Sequence, residues 1–304
     1  MVNNMSENQK EQVVVRIPPS PTGYLHIGTA RTALFNYLFA KQNNGKIVLR
    51  MEDTDKERSE KVYENSILES LEWLGIDYDE MHRQSERTDV YKKYLEQMIA
   101  DGKAYVSKEE EGERDSVIRF KNPHRDITFH DVIRGDITFN TEELGDFVIA
   151  KSEDEPLYHL AVVVDDHEMG VTHIIRGDDG ISNTPRQILL QEAIGAETPV
   201  YAHLPMVLGE DKTKLSKRHG AVSLLEYKEL GFLPEAMLNY LAFLGWNPGD
   251  DREFFNREKL IEEFNLEKVG KGGAVFNIEK LRWINKHYLG ELPEEIIIAK
   301  MEDA

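Results

Sequence analysis

The sequence contains no cysteine. Disulfides, thiolate zinc sites and cysteine nucleophiles are therefore excluded, and the composition suits a reducing compartment. Neither GxGxxG nor GxxxxGK(S/T) occurs in the chain, which removes the commonest dinucleotide and P-loop readings. No long uncharged apolar run is present and residues 1–11 are polar, so neither an export signal nor a membrane span is expected. Positive charge is scarce: 37 Lys and Arg against 56 Asp and Glu leave a net charge of −19. That disfavours nucleic-acid binding as a bulk property, because backbone binding sets Lys and Arg against phosphates. It says nothing against a local basic patch. What remains is 304 residues with 40% hydrophobic and 31% charged character, enough for two or three soluble globular domains.

The chain is organised around residues 16–29. An apolar run, Val13-Val14-Val15, reads as a buried strand. Pro18, Pro19, Pro21 and Gly23 then break regular structure. After Thr29 the spacing is helical, with Ala30, Ala33, Leu34, Tyr37 and Leu38 on one face. His26 and Gly28 thus sit at a strand-to-helix junction, where free backbone N–H groups and the positive end of a helix favour bound phosphate.

A second strand over residues 46–51 runs into Glu52-Asp53-Thr54-Asp55. Ligands gather at the carboxyl ends of strands in α/β sheets, so this cluster could hold a metal, bind an amine, or start the next helix. A helix follows to Leu74, closed by Gly75. Strand, helix, strand, helix in this order predicts a doubly wound parallel sheet. Residues 86–101 read as another helix, 108–115 as a charged loop, and 117–149 as a small β-rich module. Arg119, Lys121, His124, Arg125 and Arg134 give that module a local positive excess. The apolar run 157–164 reads as a buried strand. It ends in Asp165-Asp166-His167-Glu168, which could be a metal cluster, although no second cluster of matching spacing supports one.

The next strand delivers Arg176 and Asp178-Asp179 to a helix with Ser182 or Asn183 as cap. A strand over 204–208 leads into residues 209–220, where Lys212, Lys214, Lys217 and Arg218 lie close together. Such a loop suits closure over a polyphosphate, or is a solvated charge run. Residues 226–288 are mostly helical, with Lys268, Lys271, Lys280, Arg282 and Lys286 restoring positive charge near the end.

Together these stretches resemble one family. The 16–29 region resembles the HIGH motif of class I aminoacyl-tRNA synthetases in the form found in the glutamyl enzymes. Lys214-Leu215-Ser216-Lys217-Arg218 resembles their KMSKS loop. Residues 49–55, 163–167, 182–187 and 276–283 fit the same enzymes, and the likeness spans about 13 to 290. It implies a Rossmann-like, HUP-type catalytic domain in two halves (12–95 and 158–225) after a polar extension (1–11). It further implies an inserted α+β acceptor-arm module (96–157) and a helical stem-contact domain (226–304), without the family's anticodon-binding region. The implied reaction attaches glutamate to tRNA(Glu) through a glutamyl-adenylate, with ATP and Mg2+ as the substrate complex and no zinc. The implied catalytic residues are His26, Gly28, Lys214 and Lys217; Thr29, Leu215, Ser216 and Arg218 complete the ATP site. Arg16 and Arg176 would hold the glutamate carboxylates and Glu52 its ammonium, with Ser20 and Tyr158 completing the pocket. A cytoplasmic monomer away from membranes is the implied setting.

Three departures stand out. The insertion is short and cysteine-free, Asp178-Asp179-Gly180-Ile181 replaces a commoner Glu-Asp-His-Leu, and the sequence ends at Ala304. The alternatives are a glutamyl-Q tRNA modifying paralogue and a catalytically silent tRNA-binding paralogue.

Overall fold

The computed structural model describes residues 12–55, 57–109, 115–215 and 223–295. Chain order begins β1 (Val14–Ile17), α1 (Ile27–Gln42), β2 (Lys46–Met51), α2 (Lys61–Leu74), β3 (Glu80–Arg83) and α3 (Thr88–Ala100). Gly75 closes α2 in the left-handed conformation, with φ 60°, a region where a side chain would strain the backbone. Strands β4 (Ala104–Lys108), β5 (Ser116–Phe120), β6 (Asp126–Asp131), β7 (Gly135–Asn140), β8 (Phe147–Ser152) and β9 (Glu155–Pro156) follow. They form two antiparallel units, β4-β5-β8-β9 and the β6–β7 hairpin.

The apolar run at 157–164 is not a strand; it lies in helix α4 (Tyr158–Glu168). A run with seven apolar residues in eight carries no period, and valine favours strands, so pattern and propensity pointed the wrong way. Tertiary packing decides: α4 is wedged among α3, β8 and the next helix, α5 (Thr184–Ile194), and its residues 160–166 are all buried. Between α4 and α5 runs β10 (His173–Gly177), and after α5 comes β11 (Val200–Leu204). Asn183 does occupy the cap position of α5, but its side chain makes no capping bond.

The strand expected over 204–208 is split at Pro205, which lacks the N–H a ladder needs. Its second part is β12 (Val207–Leu208). Helices α6 (Leu224–Glu229), α7 (Pro234–Phe243) and α8 (Arg257–Glu263), strand β13 (Ala274–Val275) and helix α9 (Ile278–Glu291) complete the described chain.

Strands β1, β2 and β3 are parallel neighbours in that order. On the other side β10 and β11 are parallel, and β6 joins β11 at Asp131–Tyr201. The two sets meet where Thr172 N donates to Val14 O (3.0 Å) and Val14 N donates to Thr172 Oγ1 (2.9 Å). The order is therefore 3-2-1, then β10 and β11, with the reversal between β1 and β10. In doubly wound sheets a ligand binds at that reversal, outside the carboxyl ends of the strands. The C-terminal helices close one side: α7 packs on α1 and α9, and β13 pairs with β12.

Candidate active site

One end of the candidate site is the start of the first helix. His26 is the N-cap of α1 and its Nδ1 accepts from Thr29 N at 3.4 Å. Nδ1 being an acceptor, the neutral ring carries its proton on Nε2, 3.1 Å from Thr29 Oγ1. The ring edge is exposed, yet water is partly excluded around it; that exclusion, followed by the Lys214 ammonium, lowers the imidazole pKa below its ordinary value. A Cβ on Gly28 would stand 3.2 Å from His26 Cε1, so glycine lets the ring fold back over the helix start. No acidic residue lies in the first turn of α1, which leaves its positive end open to an anion.

The carboxyl end of β2 supplies Glu52. Its loop is tied twice to the segment that follows β1: Glu52 N donates to Pro19 O (2.9 Å) and Ser20 Oγ donates to Glu52 O (3.0 Å). Arg50, fully buried, donates through Nη2 to Glu52 Oε1 (3.0 Å) and through Nη1 to Asp166 Oδ1 (2.7 Å). Arg16 is 2% exposed, with Nε 3.4 Å from Asp166 Oδ1. Burial pushes the Glu52 carboxyl up, against the opposing pull of Arg50 and Arg16. An arriving ammonium would favour its charged form. The other acids of that cluster are otherwise engaged: Asp53 accepts from Ser85 N and Oγ, and Asp55 pairs with Arg58.

The acids at 165–168, possible metal ligands by sequence, lie on the last turns of α4 and serve the protein. Asp165 accepts from Gln84, Arg87 and Tyr91. Glu168 accepts from Tyr94. Among the described residues no group of three or more His, Asp or Glu could hold a metal ion.

Arg176, near the end of β10, is 8% exposed. Its Nε donates to His203 Nε2 (3.0 Å), Nη1 to Gln187 Oε1 (2.7 Å), and Nη2 to Gly180 O (3.0 Å) and Thr184 Oγ1 (2.8 Å). Every one of these acceptors is neutral, and among the described residues no carboxylate lies within ion-pair distance. Burial lowers its pKa, as for a cation short of compensation. Four of five guanidinium N–H groups are used, so one, on Nη1, is left for a ligand. Tyr158 opens α4 beside it. Although its ring is partly exposed, the hydroxyl is enclosed, and burial, then Glu52, raise its pKa against the pull of Arg176 and Arg16. The Tyr158 hydroxyl thus lies within electrostatic reach of Arg16, Glu52 and Arg176.

Lys214 pairs with Leu208 in an isolated antiparallel bridge, and its Nζ lies 3.1 Å from Asp179 Oδ2. Leu215 N donates to Val207 O (2.9 Å). The loop is thus anchored on β12, beside Asp179 and near His26. Ser216, Lys217 and Arg218 lie outside the described residues.

Sequence reasoning missed Asp131 and His203, both fully buried. Asp131 Oδ2 accepts from His203 Nδ1 (2.7 Å) and His203 N (3.0 Å); Oδ1 accepts from Ile133 N (3.0 Å) and Arg134 N (2.8 Å). A histidine inside an apolar strand was the available signal. Its partner lies 72 residues away, beyond any local spacing. The positive excess of the insertion is largely consumed: Arg119 pairs with Glu109, Arg125 with Glu192, and Arg134 with Asp178.

A profile of the family described as "tRNA synthetases class I (E and Q), catalytic domain" matches residues 12–116 and 106–283. A glutamate–tRNA ligase of Aquifex aeolicus is 48% identical over 95% of this chain and 69% of its own length. One from Geobacter sulfurreducens is 48% identical over 93% of this chain and 67% of its own. The crystal structure of a glutamate tRNA ligase from Elizabethkingia meningosepticum, in complex with its amino acid, superposes with a TM-score of 0.90 at 36% identity. It covers 96% of this chain and 72% of that one. The chain thus spans about two thirds of the length of these curated relatives. It belongs to the class I tRNA synthetase family of E and Q enzymes, among the glutamate–tRNA ligases.

Proposed function

We propose that this chain activates glutamate with ATP and transfers it to tRNA(Glu). A glutamate α-carboxylate oxygen attacks the α-phosphorus, and the bond to pyrophosphate breaks. A terminal ribose hydroxyl of the tRNA then attacks the acyl carbon, and AMP leaves. Such chemistry asks for alignment and charge stabilisation rather than a covalent protein nucleophile. The observation that carries the reading is Arg176: a buried guanidinium with only neutral partners and one N–H free, beside a Tyr158 hydroxyl that also feels Arg16 and Glu52.

Arg176 takes the side-chain carboxylate, Arg16 the other, and Glu52 the ammonium, with Ser20 and Tyr158 bounding the pocket. A site with a buried cation rejects glutamine, which would leave that cation unpaired. His26 donates from Nε2 to phosphate, Gly28 and Thr29 admit the nucleotide to the helix start, and Lys214 with Lys217 draws off pyrophosphate. Leu215, Ser216 and Arg218 complete the ATP loop. Mg2+ enters with ATP as its counter-ion. The division into residues 12–95 and 158–225 (catalytic), 96–157 (acceptor arm) and 226–304 (stem contact) belongs to the same proposal, as does a cytoplasmic monomer. No helix among the described residues is long and apolar enough to cross a membrane.

Glutamate-dependent ATP–pyrophosphate exchange, run with and without tRNA(Glu), tests this. Exchange is expected with the tRNA and lost in Arg176→Ala, with ATP binding retained. Exchange without tRNA favours the glutamyl-Q modifying paralogue, and unchanged glutamate kinetics in Arg176→Ala sinks the pocket assignment.

A further inference from the structure

We propose that Asp131 and His203 are positioning residues for Arg176, holding its guanidinium in the orientation that receives the glutamate side chain. This rests on the assignment of Arg176 to that carboxylate. Hydrogen-bond polarity makes the case. Arginine has no acceptor, so the contact between Arg176 Nε and His203 Nε2 at 3.0 Å requires a lone pair on the imidazole. His203 must then be neutral and protonated on Nδ1. That N–H faces Asp131 Oδ2 at 2.7 Å, and an ionised carboxylate only accepts. Each donor therefore meets an acceptor from Asp131 to Arg176, and only one tautomer of His203 fits.

The carboxylate is itself locked. His203 N, Ile133 N and Arg134 N donate to it as well. Burial pushes the Asp131 pKa up, but the bonds from His203 and the backbone hold it below the ordinary value. Burial also lowers His203, partly opposed by Asp131 and aided by Arg176, consistent with the neutral ring. Both side chains are 0% exposed, so water does not compete. A hydrogen bond that fixes a tautomer from behind commonly sets the orientation of a functional group in front.

The support comes from the insertion. Asp131 ends β6, which pairs with β11 of the catalytic sheet, with Val132 N donating to Tyr201 O at 2.9 Å. Residues outside the two catalytic halves thereby reach the glutamate arginine.

Two substitutions at 203 separate orientation from packing. In His203→Gln the amide oxygen can stand where Nε2 stood and still accept from Arg176. In His203→Asn the shorter amide can serve Asp131 but not Arg176. Calorimetric titration of the whole chain with glutamate, then glutamine, is the measurement. His203→Asn is expected to weaken glutamate about tenfold and to narrow the preference for glutamate over glutamine. His203→Gln should lose no more than about threefold. Asp131→Asn places an N–H against existing donors in either rotamer, and should resemble His203→Asn. Equal affinities in His203→Asn and His203→Gln, or an unchanged glutamate-to-glutamine ratio in His203→Asn, overturn the proposal. An unchanged glutamate affinity in Arg176→Lys instead overturns the carboxylate assignment beneath it.

Discussion

Substitution of Gly180 by alanine isolates the resting place of Arg176. An ideal Cβ at 180 would lie 2.5 Å from Arg176 Nε, 2.7 Å from Cδ and 3.1 Å from Cζ. Ordinary contact begins near 3.4 Å, so the guanidinium must retreat by about 0.9 Å. Its bonds to His203, Gly180 O and Thr184 are 2.8–3.0 Å long and cannot all stretch that far and survive. Each hydrogen bond to a charged group is worth roughly 1.5–3 kcal/mol. If one such bond no longer orients the cation, glutamate affinity should fall by about ten- to a hundredfold. Gly180 does not sit in the left-handed region, so alanine adds no backbone strain to that steric clash. Calorimetric titration with glutamate reads the effect directly. An affinity within twofold of wild type would refute the claim that Arg176 acts from this position.

Lys214→Ala should cut the tRNA-supported exchange rate about a hundredfold while changing the ATP KM less than threefold, because a pyrophosphate partner acts in the transition state; a defect confined to KM would contradict that role. Asn239 is fully buried, donates to Glu253 O (2.9 Å) and accepts from Phe255 N (2.5 Å) and Tyr288 Oη (2.9 Å). Asn239→Ala should therefore cost about 2–4 kcal/mol in urea unfolding, and a loss under 1 kcal/mol would show that these groups find other partners. Loss of water around His159, helped by Arg186 and Arg176, lowers its pKa from 6.5 to about 4. Between those values the unfolded state holds a proton that the native state lacks. Stability therefore falls as pH drops through that window, by at most about 1.4 kcal/mol per pH unit from this group. His159→Gln should flatten that limb, and identical slopes in both proteins would remove His159 as the cause.

The most legible parts of the molecule were those specified by neighbours in sequence. The prolines at 18, 19 and 21 end β1, and the spacing after Thr29 starts α1, so the His26–Gly28 junction was readable. Gly75 marked the end of α2 for the same local reason. Residues 157–164 were misread because burial on all sides erases the period that separates helix from strand. The role of Asp165 and Asp166 was equally hidden: their arginines come from β1, from β2 and from the residue before α3, and only the fold assembles them. Gly180 was visible as a departure from the family pattern, but its meaning depends on where Arg176 lies.

The seam between β1 and β10 also has a consequence in time. Val14 and Thr172, which close it, are 158 positions apart. Strands β1, β2 and β3 are complete by Arg83, whereas β10 ends at Gly177. At about 5–20 residues per second, a ribosome needs roughly 5 to 20 seconds to supply the missing neighbour. During that interval β1 presents an unpaired apolar edge, the surface on which chains join one another. A nascent chain stalled between these points should aggregate, whereas the whole chain, with α7 packed on α1, should not. Protein yield should then depend on translation speed through the insertion.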